Sequence, residues 1–191
     1  MKCKLKDVVD AQFGLVLIRK EDKNMKSNIK YQVLQSKSVK DNTIDLENVS
    51  WFHSLEEIDS DYFTRQNDIL FKVTEPFDTV LITEETKNLL VAANFIILRV
   101  KSEKVNARFL HWYLRRASIK NRIRLLTQGT SIISIRTSDL LELNIDIPSL
   151  DKQKQIVEFL ELADKEVKLL NKLLENKKML YRQIPEKILK K

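Results

Sequence analysis

The chain has 191 residues, 43% of them hydrophobic and 32% charged, with a net charge of +7; that composition suits a soluble protein of one globular domain plus a helical extension. Its longest apolar run, Leu89 to Leu98, is interrupted by Asn94 and is too short to cross a bilayer. The start MKCKLKD has no apolar segment behind its lysines, so no secretory signal is expected, and the lone cysteine, Cys3, excludes an internal disulfide and fits a reducing cytoplasm.

The first hundred residues read as short strands between polar turns. Leu15 to Ile18 is a short apolar run, and Ile29, Tyr31 and Val33 alternate with polar neighbours. Between them lies a charged loop, Arg19 to Lys26, whose cations Arg19, Lys20, Lys23 and Lys26 are candidates for recognition. Thr43 to Leu46, Asp68 to Val73, Thr79 to Ile82 and the long stretch Leu89 to Val100 also favour strand. Strands this close together, with no helices between them, point to a mixed or antiparallel curled sheet and not to βαβ units. From Asn106 to Leu126 the period changes: Phe109, Leu110, Tyr113, Leu114 and Ala117, then Ile119, Ile123 and Leu126, predict one or two packed helices.

A polar turn follows, Thr127 to Ser131, holding Gly129, one of only two glycines; the other is Gly14. A rare glycine in such a turn marks a positive φ or a close backbone approach. Leu141 to Ile147 alternates as a half-buried strand, and after Pro148 the chain has no Gly or Pro until Pro185. There Ile156, Leu160, Ala163, Val167, Leu170, Leu174 and Tyr181 recur at alternating steps of four and three, broken only by Lys177. That is a heptad seam, widened by Leu162, Leu169, Leu173, Leu180 and Ile184, so this helix needs more than one neighbour. Ser149 or Asp151 is placed to cap it and Pro185 to stop it.

Catalytic signatures are nearly absent. The sequence has no Gly-rich phosphate loop, no Gly-x-Ser-x-Gly elbow, no methyltransferase motif and no metal-spaced His or Cys cluster. Asp78 with Glu85 and Lys87 imitates the carboxylate and Glu-x-Lys arrangement of Mg²⁺-dependent nucleases, although the polar run around Glu85 resembles a hairpin tip. Binding is better represented. From Arg99 to Ser138 ten Lys or Arg face the single acid Glu103. Lys101, Arg115, Arg116, Lys120, Arg122, Arg124 and Arg136 are candidate phosphate partners, interleaved with Trp112 and Tyr113, while Gln128, Thr130 and Ser131 have the amide and hydroxyl groups that read base edges.

With these residues in view, the chain resembles one half of a type I restriction-modification DNA specificity subunit. The resemblance is sharpest at Gly129-Thr130-Ser131, Ile135, Leu140 to Leu143, then Ile145-Asp146-Ile147-Pro148-Ser149-Leu150 with Gln153 and Ile156 opening a long helix. Weaker agreement lies at Leu5 to Val9 with Gly14, at Asp68 to Phe71, and from Phe109 to Leu114; Asn67 stands where that family usually has glycine, which suggests a different turn there. The resemblance implies an α+β protein: a curled, β-rich target recognition domain with packed helices over residues 1 to 147, then a coiled-coil helix over 148 to 191 for dimerisation and methyltransferase docking. It implies a non-catalytic subunit that reads one half of a bipartite site in duplex DNA, as a homodimer or with a second half-subunit. It places S-adenosylmethionine, ATP and Mg²⁺ on partner subunits in the cytoplasm. The rival readings are a nuclease built on Asp78, Glu85 and Lys87, and a coiled-coil adaptor or decoy that binds restriction subunits without reading DNA.

Overall fold

The computed structural model describes residues 1–24, 26–40, 42–127 and 134–189. The chain divides into two units, Met1–Leu150 and Asp151–Lys191. The first is α+β. Its strands are β1 (Lys2–Lys4), β2 (Val9–Phe13), β3 (Lys30–Leu34), β4 (Val39–Lys40), β5 (Thr43–Ile44), β6 (Ser50–His53), β7 (Ile69–Lys72), β8 (Thr79–Leu81), β9 (Leu90–Val91) and β10 (Phe95–Val100). After them come α1 (Ala107–Arg115), α2 (Ala117–Leu126), α3 (Thr137–Leu141) and β11 (Asn144–Asp146); α4 (Leu150–Leu189) is the long helix.

The central sheet has the order β2-β10-β7-β8, antiparallel throughout. Phe95 to Leu98 of β10 are fully buried, because the strand is covered on both faces. A second sheet, β6-β3-β9, pairs β3 antiparallel with β6 and parallel with β9. Two apolar clusters form the core: Leu34 and Val91 of the second sheet pack with Leu70, Val80, Phe95 and Ile97 of the central sheet in one, and Leu15, Val33, Phe52 and Leu90 form the other. The pairs β1-β11 and β4-β5 complete the sheets.

Several strand boundaries depart from the sequence pattern for local reasons. Leu89 to Val100 is two strands, since the chain turns at Ala92 to Asn94 between β9 and β10. Gly14 lies against that turn. A Cβ built on it would sit 2.1 Å from the Ala92 carbonyl oxygen and 2.5 Å from its carbon, so the close backbone approach belongs to Gly14. Leu15 to Ile18 leads into a 3₁₀ turn, Leu17–Arg19, and Ile18 is 70% exposed. Of Leu141 to Ile147, Leu141 ends α3 and only Asn144–Asp146 is strand, since it is these three residues that find a partner in β1. Asn67 has φ 70°. Asn tolerates that left-handed conformation better than most side chains, so it makes a turn that glycine also favours.

Asn106 caps α1, its carboxamide oxygen accepting from the Arg108 and Phe109 N–H groups at 2.9 and 3.1 Å. The chain leaves helical geometry at Arg116 before α2 begins. Helix α4 starts at Leu150, which leaves Ser149 at the N-cap position and Asp151 in the first turn. Pro185 does not stop it. Its fixed φ is compatible with the helix, which runs on through Pro185 for only four further residues, to Leu189. Its 40 residues give a length of about 60 Å at about 1.5 Å per residue.

Candidate nucleic-acid interface and partner helix

Folding redistributes the charge of the basic stretch. Arg99, only 18% exposed, lies between Asp61 and Asp68, and donates to the Asp61 and Phe63 carbonyls at 3.0 and 2.7 Å. Burial pushes the Asp68 carboxyl up, against the lowering effect of its Arg65 N–H bond and Arg99. Lys101 pairs with Asp10 at 3.0 Å, Lys120 with Asp78 at 3.2 Å, and Arg124 with Glu75 at 2.5 Å and with Asn121 at 2.7 Å. The guanidinium of Arg116 stands over the Trp112 and Tyr113 rings, 5.6 and 5.3 Å from their centroids. Arg115, Arg122 and Arg136 are exposed and, among the described residues, pair with no carboxylate. Gln128, Thr130 and Ser131 lie outside the described residues, as does Gly129.

The charged loop is held by hydrogen bonds. Asp22 N–H donates to the His53 carbonyl and Leu55 N–H to that of Lys20, both at 2.9 Å, which lays residues 20–22 alongside 53–55. The buried Asp22 carboxylate accepts from the N–H groups of Ser27 and Asn24 at 2.6 and 3.0 Å; these bonds, Ser27's above all, hold its carboxyl below the usual range. Lys20 pairs with Glu56. Arg19, Lys23 and Lys26 project into solvent and, among the described residues, pair with no carboxylate.

Sequence reasoning passed over one exposed surface beside this loop. The register of β3 and β6 sets Lys30 opposite His53 and Gln32 opposite Trp51 on one face, while Tyr31 and Phe52 form the other. Trp51 is 59% exposed, and the Lys30 ammonium stands 5.2 Å from its ring centroid. Alternation alone could not find it, because Trp51 and Phe52 are adjacent aromatics and only the register with β3 assigns Trp51 to the polar face.

The nuclease constellation does not assemble. Asp78 precedes β8 and is engaged with Lys120, whereas Glu85 lies in a 3₁₀ turn beyond the strand's other end, and Lys87 pairs with Glu84. No group of three or more His, Cys, Asp or Glu among the described residues could hold a metal ion. His111 Nε2 lies 3.1 Å from the Thr79 carbonyl oxygen, and Cys3 is partly buried in β1.

Along α4 the seam residues Ile156, Leu160 and Ala163 are partly buried. Val167, Leu170, Leu174 and Tyr181 are 55, 57, 51 and 64% exposed. Phe159, Leu162, Leu169, Leu173, Leu180 and Ile184 are exposed as well. At about 100° per residue these positions and the seam form one arc of about 180°. The sequence pattern gave no place to Phe159, because Glu166 interrupts its seven-residue spacing to Leu173 and Leu180. No helix among the described residues is long and apolar enough to cross a membrane.

Comparison with known proteins agrees with this architecture. Residues 1–177 match the family model "Type I restriction modification DNA specificity domain". The chain is 28% identical over 178 residues to a putative type I restriction enzyme MjaX specificity subunit of Methanocaldococcus jannaschii, a match that covers 90% of this chain and 41% of the relative. Its fold is similar to that of the HsdS subunit from Thermoanaerobacter tengcongensis, with a TM-score of 0.64 and 18% identity over 91% of this chain and 44% of that one. The S subunit of a type I restriction-modification system from M. genitalium gives a TM-score of 0.58 and 22% identity over 92% and 41%. The chain therefore spans about two fifths of the length of these relatives, and it belongs to the family of type I restriction-modification DNA specificity domains.

Proposed function

We propose that this chain is a non-catalytic DNA-recognition half-subunit of a type I restriction-modification system. The observation that carries this reading is the exposed apolar arc of α4, from Phe159 to Ile184, in a chain of the specificity-domain family. A helix with this much apolar surface in water is completed by a second such helix, and a second copy of the chain supplies one. The pair then presents two recognition units related by a two-fold axis, whose matching half-sites form an interrupted inverted repeat.

Within each unit the cations that pair with no carboxylate among the described residues, Arg19, Lys23, Lys26, Arg115, Arg122 and Arg136, neutralise backbone phosphates. Lys20, Lys101, Arg116, Lys120 and Arg124 border them, already held by an acid or a ring. Gln128, Thr130 and Ser131 supply amide and hydroxyl groups for base edges. The paired helices also dock the modification subunits, which bring S-adenosylmethionine, and the restriction subunits, which bring ATP and Mg²⁺. The assembly works in the cytoplasm, on the chromosome.

The test is a fluorescence-anisotropy titration of duplex DNA with the purified chain across salt concentrations. Affinity should fall as salt rises, and replacing Arg19, Lys23 and Lys26 with Ala in both protomers should reduce the logarithmic slope by about five, at about 0.9 for each of the six phosphate contacts. A dimeric, folded chain that binds no duplex would refute the reading and favour the adaptor.

A further inference from the structure

The outer face of β3 and β6 is built differently from the rest of the surface. β9 pairs only with Val33 and Leu34, so the stretch that carries Lys30, Gln32 and Trp51 is a two-stranded ribbon, joined by a third segment, Lys20 to Asp22, only from His53 onward. Its inner face is anchored. Phe52 is buried, and Tyr31 meets the Phe63 ring edge-on at 5.1 Å. Its tip is fastened by the Lys20 to Asp22 segment, which brings Lys23 to the rim of a depression of about 400 Å³ that Trp51 and His53 also line. The acidic run that follows β6 is largely engaged: Glu56 with Lys20, Asp59 in capping the Asp61 N–H, and Asp61 with Arg65 and Arg99.

A two-stranded ribbon has the width that enters a major groove, and Gln is one of the two side chains that pair bidentately with adenine there. An indole left 59% in water, with Lys30 over its ring, is a large apolar area still open to a partner, and a thymine methyl is an apolar feature of the same groove. The cations at its border, Lys30 beside the ring and Lys23 at the rim of the depression, are placed to meet flanking phosphates.

We propose that the β3-β6 ribbon is the sequence-reading element of this unit, with Gln32 contacting a base edge and Trp51 packing beside it, a role that rests on the DNA-recognition reading above. Gln32 sets the preference for adenine at one position of each half-site. Trp51, held by Lys30, fixes the depth at which the ribbon sits.

The experiment compares Gln32→Ala, Gln32→Glu, Trp51→Ala and Trp51→Phe with the wild-type chain, on a duplex enriched by the wild type and on a scrambled duplex. Thermal unfolding serves as the check that each variant is folded. Gln32→Ala should lose about 10- to 100-fold in preference for the enriched duplex with its affinity for the scrambled one unchanged. Gln32→Glu should move the favoured base at that position from adenine to cytosine, and Trp51→Phe should retain more of the preference than Trp51→Ala. If Gln32→Ala and Trp51→Ala both keep the wild-type preference, the ribbon is not the reader, although the recognition function stands. If the wild-type chain binds neither duplex, the recognition reading falls and the ribbon's role with it.

Discussion

Replacing Val167, Leu170 and Leu174 of α4 with Gln tests whether the exposed seam is an interface. Gln matches Leu closely in helix propensity, so the helix itself should persist. The three side chains are 55, 57 and 51% exposed in the single chain. Fully burying a Val or Leu is worth about 1.5–3 kcal/mol, so covering the exposed half of each contributes about 1 kcal/mol. Six such side chains across a two-fold dimer sum to about 6 kcal/mol, or about 10⁴-fold in the dimer dissociation constant. Light scattering over a range of concentrations measures the mass directly. The wild type should have twice the chain mass and the variant the single-chain mass, with the helical circular dichroism signal unchanged. As a control, Lys165, Lys168 and Lys172 on the opposite side of the helix should be replaceable by Gln without loss of dimer. A triple seam variant that kept the wild-type mass at all concentrations would refute the argument.

Two further predictions concern the globular unit. Gly14→Ala should lower stability by about 3 kcal/mol and the unfolding midpoint by about 10 °C, read by calorimetry, because the added Cβ meets the Ala92 backbone at 2.1 Å and the main chain must shift; an unchanged midpoint would show that the two segments separate freely. Glu142 accepts from Lys4 and Lys6, both at 2.5 Å, and these bonds lower its carboxyl from 4.5 to about 2. A depressed carboxylate stabilises the fold above its unfolded pKa, and that contribution is lost as pH falls from about 4.5 towards about 2. Glu142→Gln should therefore flatten the acid limb of the midpoint-against-pH curve, and because these groups are exposed, high salt should reduce the difference.

What could be read in the sequence followed the range of the interactions involved. The seam of α4 was legible residue by residue because a helix face is written in local spacing, and the end of α4 was not, since proline's effect depends on how much helix follows it. The strands β3, β7, β8 and β10 were legible from parity and apolar runs. The break between β9 and β10 was not, because the segment packed against that turn, at Gly14, is far away in the chain.

The basic stretch shows the same limit more sharply. Its local ratio of ten cations to one acid describes the chain, whereas Asp10, Asp61, Asp68, Glu75 and Asp78 arrive from the strand half and engage Arg99, Lys101, Lys120 and Arg124. Trp51 was overlooked for the converse reason. Nothing in its local sequence distinguishes an exposed aromatic from a core one until the register with β3 is known.

The central claim, that this chain selects a DNA sequence as a symmetric pair, is tested most directly by enriching duplexes from a random pool on the purified chain and sequencing what is retained. The account predicts an inverted repeat with a fixed spacer between its two halves. A retained pool with the same base composition at every position as the starting pool, from chain that is folded and dimeric, would contradict it.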